Sequence, residues 1–208
     1  MNNNDSIQAR LSPSQKRLQR PPDFTGNRLV SFRAVFLRHG LPGAVLGVLC
    51  LLHPAMRELL GSALTAFYSQ PLFYMFSALV ILVVLSLYAG FLDRRWKIEK
   101  LGWVLYLGLV SAWEEWVFRL AVPYYLESIG VSLFVAVLTS NTVFALAHYF
   151  TLRWKWQWCV AVFFFAMALS RQMETHFDLM LVIGVHWVFT FLNTPRLPGR
   201  RYLQGGVG

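Results

Sequence analysis

Long stretches without charged side chains dominate this sequence, and they constrain its fold more than any other feature. Leu72–Leu92 carries no charge over 21 residues, and Ile129–Leu152 is interrupted only by His148. An α-helix of about 20 apolar residues crosses the roughly 30 Å hydrocarbon core of a bilayer. Only 14% of the chain is charged, whereas ordinary soluble domains carry about 25%. Both stretches are therefore predicted to span a membrane.

Four further segments are predicted to span it as well, which gives an all-α polytopic membrane protein, a bundle of about six transmembrane helices. The first of them in chain order is the weakest, because it contains two prolines and a histidine, and an interfacial or re-entrant segment is the alternative there. The four segments are Gly40–Met56, Leu101–Leu126, Trp156–Ser170 and Phe177–Asn193.

The predicted organisation is one membrane domain between two basic tails. Residues 1–35 are expected to form a basic, largely disordered tail, because the stretch is polar at first and rich in breakers. Residues 36–195 form the helical membrane domain, with its motif-bearing core at residues 100–194 in the C-terminal half. Residues 196–208 form a second, short basic tail.

The distribution of positive charge predicts the orientation. Sixteen of the 19 lysine and arginine residues lie in the two tails and in the loops that fall on the same side as the tails. Because cytoplasmic loops are enriched in these residues, both termini are predicted to be cytoplasmic. The same excess accounts for the net charge of +9, so no nucleic-acid partner is predicted.

The third predicted helix carries Glu114, Glu115 and Arg119 within six residues. Ionisable side chains inside a membrane span are costly and usually mark a functional site. Glu115 and Arg119 are four residues apart, so they share a helix face and can form an ion pair. Glu114 is rotated by about 100° from Glu115 and has no cation on its own helix. We interpret Glu114 as a candidate general base or acid; the alternative is a carboxylate that only faces a water-filled crevice.

Two histidines lie in other predicted helices. His148 follows Phe144 by one turn, and His186 lies in the last apolar segment, one turn before Thr190 and two turns before Asn193. A lone buried histidine is more often a packing residue than a reactive one. Two of them on separate helices, together with an unpaired glutamate on a third, favour a single shared site.

Two mechanisms suit this combination. In the first, Glu114 takes a proton from a water that attacks a peptide carbonyl, while His186 stabilises the resulting oxyanion, and no cofactor is needed. In the second, Glu114, His148 and His186 bind a divalent metal such as zinc, which activates the water. The sequence lacks the helical HExxH pattern of many zinc proteases.

The same residues resemble the three motifs of the CPBP family, which groups CAAX prenyl endopeptidases with bacterial Abi-type membrane proteins. Order and spacing match over about residues 100–194. The third motif departs from the family pattern, which has Asn or Asp four residues after the histidine; this chain has Thr190 there, and Asn193 three residues further on. The matching residues are Glu114-Glu115-x-x-x-Arg119, Phe144-x-x-x-His148 and His186.

The resemblance implies an intramembrane endopeptidase of the glutamate type. Glu114 and His148 would activate water, Glu115 and Arg119 would hold the helix, and Thr190 or Asn193 would support His186. The expected substrate is a membrane-associated protein or peptide within the lipid bilayer, and the expected location is the bacterial inner membrane.

Two other function classes compete with this interpretation. One is a non-catalytic CPBP-like subunit, which acts as a scaffold or as an immunity or assembly factor in a larger membrane complex. The altered third motif is compatible with that class. The other is an ion-coupled transporter, which typically has two similar halves with broken helices; the sequence shows no such repeat.

Overall fold

The computed structural model describes residues 24–25, 28–29, 31–94 and 97–198. Most of the predicted tails 1–35 and 196–208 lies outside these residues. Two antiparallel strands of two residues each, β1 (Phe24–Thr25) and β2 (Arg28–Leu29), come first. The remaining elements are helical, and the predicted all-α polytopic membrane fold is confirmed.

Ten α-helices follow in the described part of the chain. Two π-helical turns, Phe36–Gly40 and Trp116–Ala121, join α1 to α2 and α6 to α7 without a break. We call residues 32–50 the N-terminal helix and residues 98–128 the glutamate helix. The bounds are α1 Phe32–Val35, α2 Leu41–Cys50, α3 Pro54–Ala63, α4 Thr65–Ser69, α5 Pro71–Asp93, α6 Ile98–Glu115, α7 Val122–Ser128, α8 Leu133–Thr151, α9 Trp156–His176 and α10 Leu179–Asn193.

Three helices in the described residues are long and apolar enough to cross a membrane, namely Phe32–Cys50, Pro71–Leu92 and Leu133–Thr151, and α10 is a shorter apolar helix. The outer face of α5 shows what surrounds them. Leu72 is 80% exposed and Phe76 is 66% exposed. Exposed apolar surface of this extent is unfavourable in water but suits contact with lipid.

The predicted bounds of the first span, Gly40–Met56, were wrong at both ends. The helix begins earlier, at Phe32, and ends at Cys50. Pro54 then starts the separate helix α3. Proline lacks the N–H that continues a helix and its ring clashes with the preceding turn, but it is well suited to the first helical position.

Tryptophan–glycine contacts hold two helices tightly against the glutamate helix. A Cβ atom on Gly108 would lie 2.8 Å from the ring of Trp187 in α10, and one on Gly47 would lie 2.7 Å from the ring of Trp113. Indole N–H groups reinforce both contacts: Trp187 donates to a backbone carbonyl of α6, and Trp116 donates to the Gly47 carbonyl at 3.0 Å. The glutamate helix therefore lies between α10 and the N-terminal helix.

The start of α10 is fixed by Asp178. The predicted segment Phe177–Asn193 placed this carboxylate inside the span, whereas in the structure it caps a helix that begins at Leu179. It accepts the Leu181 N–H at 3.1 Å and the hydroxyl hydrogen of Tyr74, from the first turn of α5. An aspartate at this position satisfies an unpaired helix N–H. The cap therefore sets the register of α10, which carries His186.

Candidate active site

Glu115 and Arg119 form a buried ion pair on the glutamate helix. Arg119 Nε lies 3.1 Å from Glu115 Oε2, and neither side chain is exposed to solvent. Arg119 Nη1 also donates to Asn141 Oδ1 of α8 at 2.9 Å, and its guanidinium lies 4.5 Å from the centre of the Phe144 ring. The pair predicted from the four-residue spacing is present, and it connects the glutamate helix to α8.

The connection continues from α8 into α9. The Asn141 amide donates to Ser170 Oγ at 2.9 Å. Beside it, the Ser140 hydroxyl donates to the Phe118 carbonyl at 2.7 Å, in the π-helical turn of the glutamate helix. Buried polar groups are costly unless they are hydrogen-bonded, so these bonds stabilise a single arrangement of the three helices.

Glu114 points away from this network and faces three imidazoles on three other helices. Its Oε1 lies 2.7 Å from His39 Nε2 in the N-terminal helix and 3.9 Å from His148 Nε2 in α8. Its Oε2 lies 3.7 Å from His186 Nε2 in α10. The structure thus brings the three predicted catalytic residues together in a buried cluster, and it adds His39.

An oxygen atom lies close to Nδ1 of each of the two predicted histidines. His148 Nδ1 lies 2.9 Å from the Phe144 carbonyl oxygen, and His186 Nδ1 lies at ion-pair distance, 2.6 Å, from Glu115 Oε1. A carbonyl oxygen accepts hydrogen bonds and donates none, so His148 Nδ1 carries the hydrogen. The Nε2 atom of each ring is left facing Glu114.

Phe144 forms the apolar wall of the site. Its ring is almost fully buried, and its centre lies 4.7 Å from that of His148 and 5.9 Å from that of His186. The ring therefore contacts the Arg119 guanidinium as well as both imidazoles. This position explains why the motif has an aromatic residue one turn before its histidine.

The predicted supporting residues of the third motif lie at the edge of the site or beyond it. Thr190 is half-buried one turn after His186, and the Ser111 hydroxyl donates to it at 3.5 Å. Asn193 is exposed in the last turn of α10. It lies about 10 Å along the axis from His186, and the structure does not bring it to Glu114.

His39 is the site residue that the sequence interpretation missed. It lies beside Arg38, at the predicted border between the basic tail and the first span, and its contact with Glu114 spans 75 residues of sequence. The one local signal is a histidine at the start of an apolar segment, and that signal is weak without knowledge of the packing.

A cavity of about 150 Å³ opens beside Glu114, between the N-terminal helix, the glutamate helix and α8. Polar groups of His39, Glu114 and Thr151 form part of its lining. Apolar side chains line most of the remainder, including Leu46, Trp113, Val117 and Phe118. The cavity therefore offers an apolar space next to the carboxylate.

The donor set is also compatible with a divalent metal. One ligand atom from each of His39, Glu114 and His148 lies within 4.8 Å of the others. Imidazole nitrogens and a carboxylate oxygen are typical zinc ligands. The sequence interpretation grouped His186 with Glu114 and His148; in the structure His39 completes the tightest group instead.

Comparison with known families agrees with the motifs. Residues 94–192 match the model of the family described as Type II CAAX prenyl endopeptidase Rce1-like. No curated protein and no solved structure matches the chain. The matched segment contains Glu114, His148 and His186 but not His39. The resemblance to the CPBP family is confirmed over residues 94–192, the segment that matches the Rce1-like family of proteases.

Proposed function

We propose that this protein is an intramembrane endopeptidase, which hydrolyses a peptide bond of a membrane-associated protein or peptide with a water activated by Glu114 and His148. The observation that carries the proposal is the convergence of three imidazole Nε2 atoms on one buried carboxylate. The family match supports proteolysis as the reaction class.

The gap between Glu114 and His148 suits a bridging water. With its hydrogen on Nδ1, neutral His148 presents Nε2 as an acceptor, and it faces Glu114 Oε1, also an acceptor, at 3.9 Å. Two acceptors at this separation attract one water, which donates one O–H to each. Its oxygen lone pairs then point away from both groups, toward a substrate carbonyl.

The reaction follows from that placement. Glu114 removes a proton from the water as the oxygen bonds to the carbonyl carbon, which forms a tetrahedral oxyanion. His186 Nε2 lies on the other side of the carboxylate, and as an imidazolium, with a hydrogen on both ring nitrogens, His186 donates from Nε2 to the oxyanion. Collapse of the intermediate breaks the C–N bond, and the proton passes from Glu114 to the leaving nitrogen. The products are a carboxylic acid and an amine.

The cavity favours an apolar group beside the scissile bond. Its wall is mostly apolar, and Glu114 is one of the residues that line it. Burial of an apolar side chain or lipid group there would contribute roughly 25 cal/mol for each Å² removed from water. We therefore expect substrates that present a hydrophobic group next to the cleaved bond.

We propose that the reaction needs no metal, because the residues described can activate water by themselves. If a divalent metal is bound, its ligands are His39, Glu114 and His148, and it supplies Lewis-acid activation of the water. Mass-spectrometric metal analysis of the purified protein tests this choice. Stoichiometric zinc that disappears in Glu114→Ala would overturn the metal-free mechanism.

The experiment for the proposed function combines a defined probe with a search in cells. Purified protein in proteoliposomes receives an internally quenched peptide with a prenylated CAAX end, and separately the same peptide without the prenyl group. In parallel, new protein ends are mapped in membranes of cells that express the wild type, Glu114→Ala or His148→Ala. We expect cleavage by the wild type only, with equal accumulation of all three proteins.

Thr190 in the third motif is the observation that favours the rival class, a non-catalytic membrane subunit. Thr190 offers a hydroxyl where the family pattern has an amide or carboxyl group. Cleavage events that depend on Glu114 would exclude that class. If neither peptide nor any cellular protein loses cleavage in Glu114→Ala, while a cellular phenotype persists unchanged, the rival replaces the protease proposal.

A further inference from the structure

His39 lies outside the family-matched residues 94–192, yet it makes the shortest of the described contacts to Glu114. We propose that His39 is a positioning residue of this site, which fixes Glu114 Oε1 and couples it through Thr151 to α8, the helix that carries His148. The inference rests on the proposed function and adds a residue to it from the N-terminal helix.

The partner atoms on either side of His39 decide which of its ring nitrogens donate. Thr151 Oγ1 donates its hydrogen to the Ala147 carbonyl at 2.6 Å, so toward His39 it acts as an acceptor. His39 Nδ1, 2.8 Å away, therefore donates to Thr151. His39 Nε2 then faces Glu114 Oε1 at 2.7 Å. As a carboxylate, Glu114 only accepts hydrogen bonds, so the hydrogen in this short contact belongs to His39 Nε2.

This chain of bonds restrains the carboxylate where catalysis requires it. Glu114 lies on the glutamate helix, and a single bond to His39 fixes the rotation of its carboxyl group. Oε2 remains directed at His186 Nε2, 3.7 Å away. Reaction rates depend steeply on such alignment, because a positioned base does not need to be ordered at the moment of reaction.

The same bonds link elements that are distant in sequence. Thr151 follows His148 by three residues on α8, so His39 contacts the helix turn that holds His148 in place. The two imidazole rings also lie edge to face, with centres 5.2 Å apart. The N-terminal helix therefore completes a site whose other members all lie within residues 94–192.

Four variants separate positioning from packing. His39→Gln places an amide near the position of Nε2 and keeps a donor for Glu114, whereas His39→Asn places it near Nδ1 and keeps only the Thr151 bond. We expect His39→Ala and His39→Asn to lower kcat by about tenfold to a hundredfold with KM little changed, since a hydrogen bond to a charged group is lost. His39→Gln should recover most of the rate. Thr151→Val should lower kcat by a few fold.

The matched control is His53→Ala, because His53 is exposed in the turn after the same helix; it should retain wild-type kcat. The rates are measured with whichever quenched peptide the wild type cleaves. Equal kcat for the Gln and Asn variants would show that His39 acts only through packing, and an unchanged kcat in His39→Ala would overturn the proposal.

A second measurement is independent of activity. In protein labelled with ¹⁵N-histidine, the His39 ring signals are identified by their loss in His39→Gln. We expect the Nε2 signal to shift in Glu114→Gln and the Nδ1 signal to shift in Thr151→Val. His39 signals that do not respond to Glu114→Gln overturn this inference even if proteolysis is established. If the signals respond while Glu114→Ala still cleaves, the positioning contact holds and the proposed function fails.

Discussion

Glu114 and Glu115 are neighbours in sequence but belong to two regions with opposite character. The ion-pair region, formed by Glu115, Arg119, Asn141 and Ser170, gives each ionised group an opposite charge or a hydrogen-bonding partner. The histidine region, formed by Glu114, His39 and His148, borders a cavity, and Glu114 Oε1 and His148 Nε2 lie 3.9 Å apart, beyond direct hydrogen-bond distance. A 100° rotation along one helix produces this difference.

The comparison shows how one helix can carry both a rigid support and a reactive group. Burial makes the ion-pair region inert, because neither the Glu115 nor the Arg119 side chain is exposed to a substrate. In the histidine region, Glu114 Oε1 and His148 Nε2 are both acceptors and form no hydrogen bond with each other, so both remain available to a water. His186 touches both, with Nδ1 toward Glu115 and Nε2 toward Glu114, so the support region orients a residue of the reactive one.

The largest effect on the cleavage rate is expected from replacing the reactive carboxylate. Glu114→Gln keeps the size and hydrogen-bonding capacity of the side chain but cannot accept the proton from water, so we expect the cleavage rate to fall by about a hundredfold to ten-thousandfold. Denaturant unfolding of the purified protein should give a midpoint close to that of the wild type. A variant that cleaves at the normal rate would contradict the assignment of the two regions.

The next effect concerns the support. Arg119→Leu leaves Glu115 as an uncompensated buried charge, which should lower the free energy of unfolding by about 3–5 kcal/mol. The matched control is Arg171→Leu, because Arg171 pairs with Glu174 on the surface and its side chain is 79% exposed. That change should cost less than about 1 kcal/mol. Similar losses of unfolding free energy in both variants would show that the buried pair stabilises the fold no more than the surface pair does.

The smallest effect on the free energy of unfolding is expected where the N-terminal helix packs against the glutamate helix. In Gly47→Ala the new methyl group would lie 2.7 Å from the Trp113 ring, so the helix must shift, at a cost of about 1–3 kcal/mol in unfolding free energy. Gly43→Ala is the control, since no atom lies within 4 Å of the added group. Unfolding curves that do not differ between these variants would contradict the close contact.

Local spacing made half of the site predictable from the sequence. Glu115 and Arg119 lie one helical turn apart, as do Phe144 and His148, so helix geometry alone places each pair on one face. The contact between His39 and Glu114 is different, because it depends on how two distant helices pack. The predicted first span began at Gly40, one residue too late to include this histidine.

The end of the first span was predictable in principle, because Pro54 follows His53 and rarely continues a helix. The π-helical turns were not. Their hydrogen bonds reach five residues back, as in the bond from the Leu41 N–H to the Phe36 carbonyl, and no residue type in either turn marks this pattern. They form where tertiary contacts compensate for the less favourable geometry.

Those two turns make the number of residues a determinant of the site. A π-helical turn contains one residue more than the α-helical turn it replaces. Loss of any one residue from Trp116–Ala121 would restore the α-helix and rotate the glutamates by about 100° against the helix that follows. A deletion anywhere in this turn would then displace Glu114 as effectively as its own substitution. Relatives that preserve this chemistry should therefore keep the length of the turn unchanged.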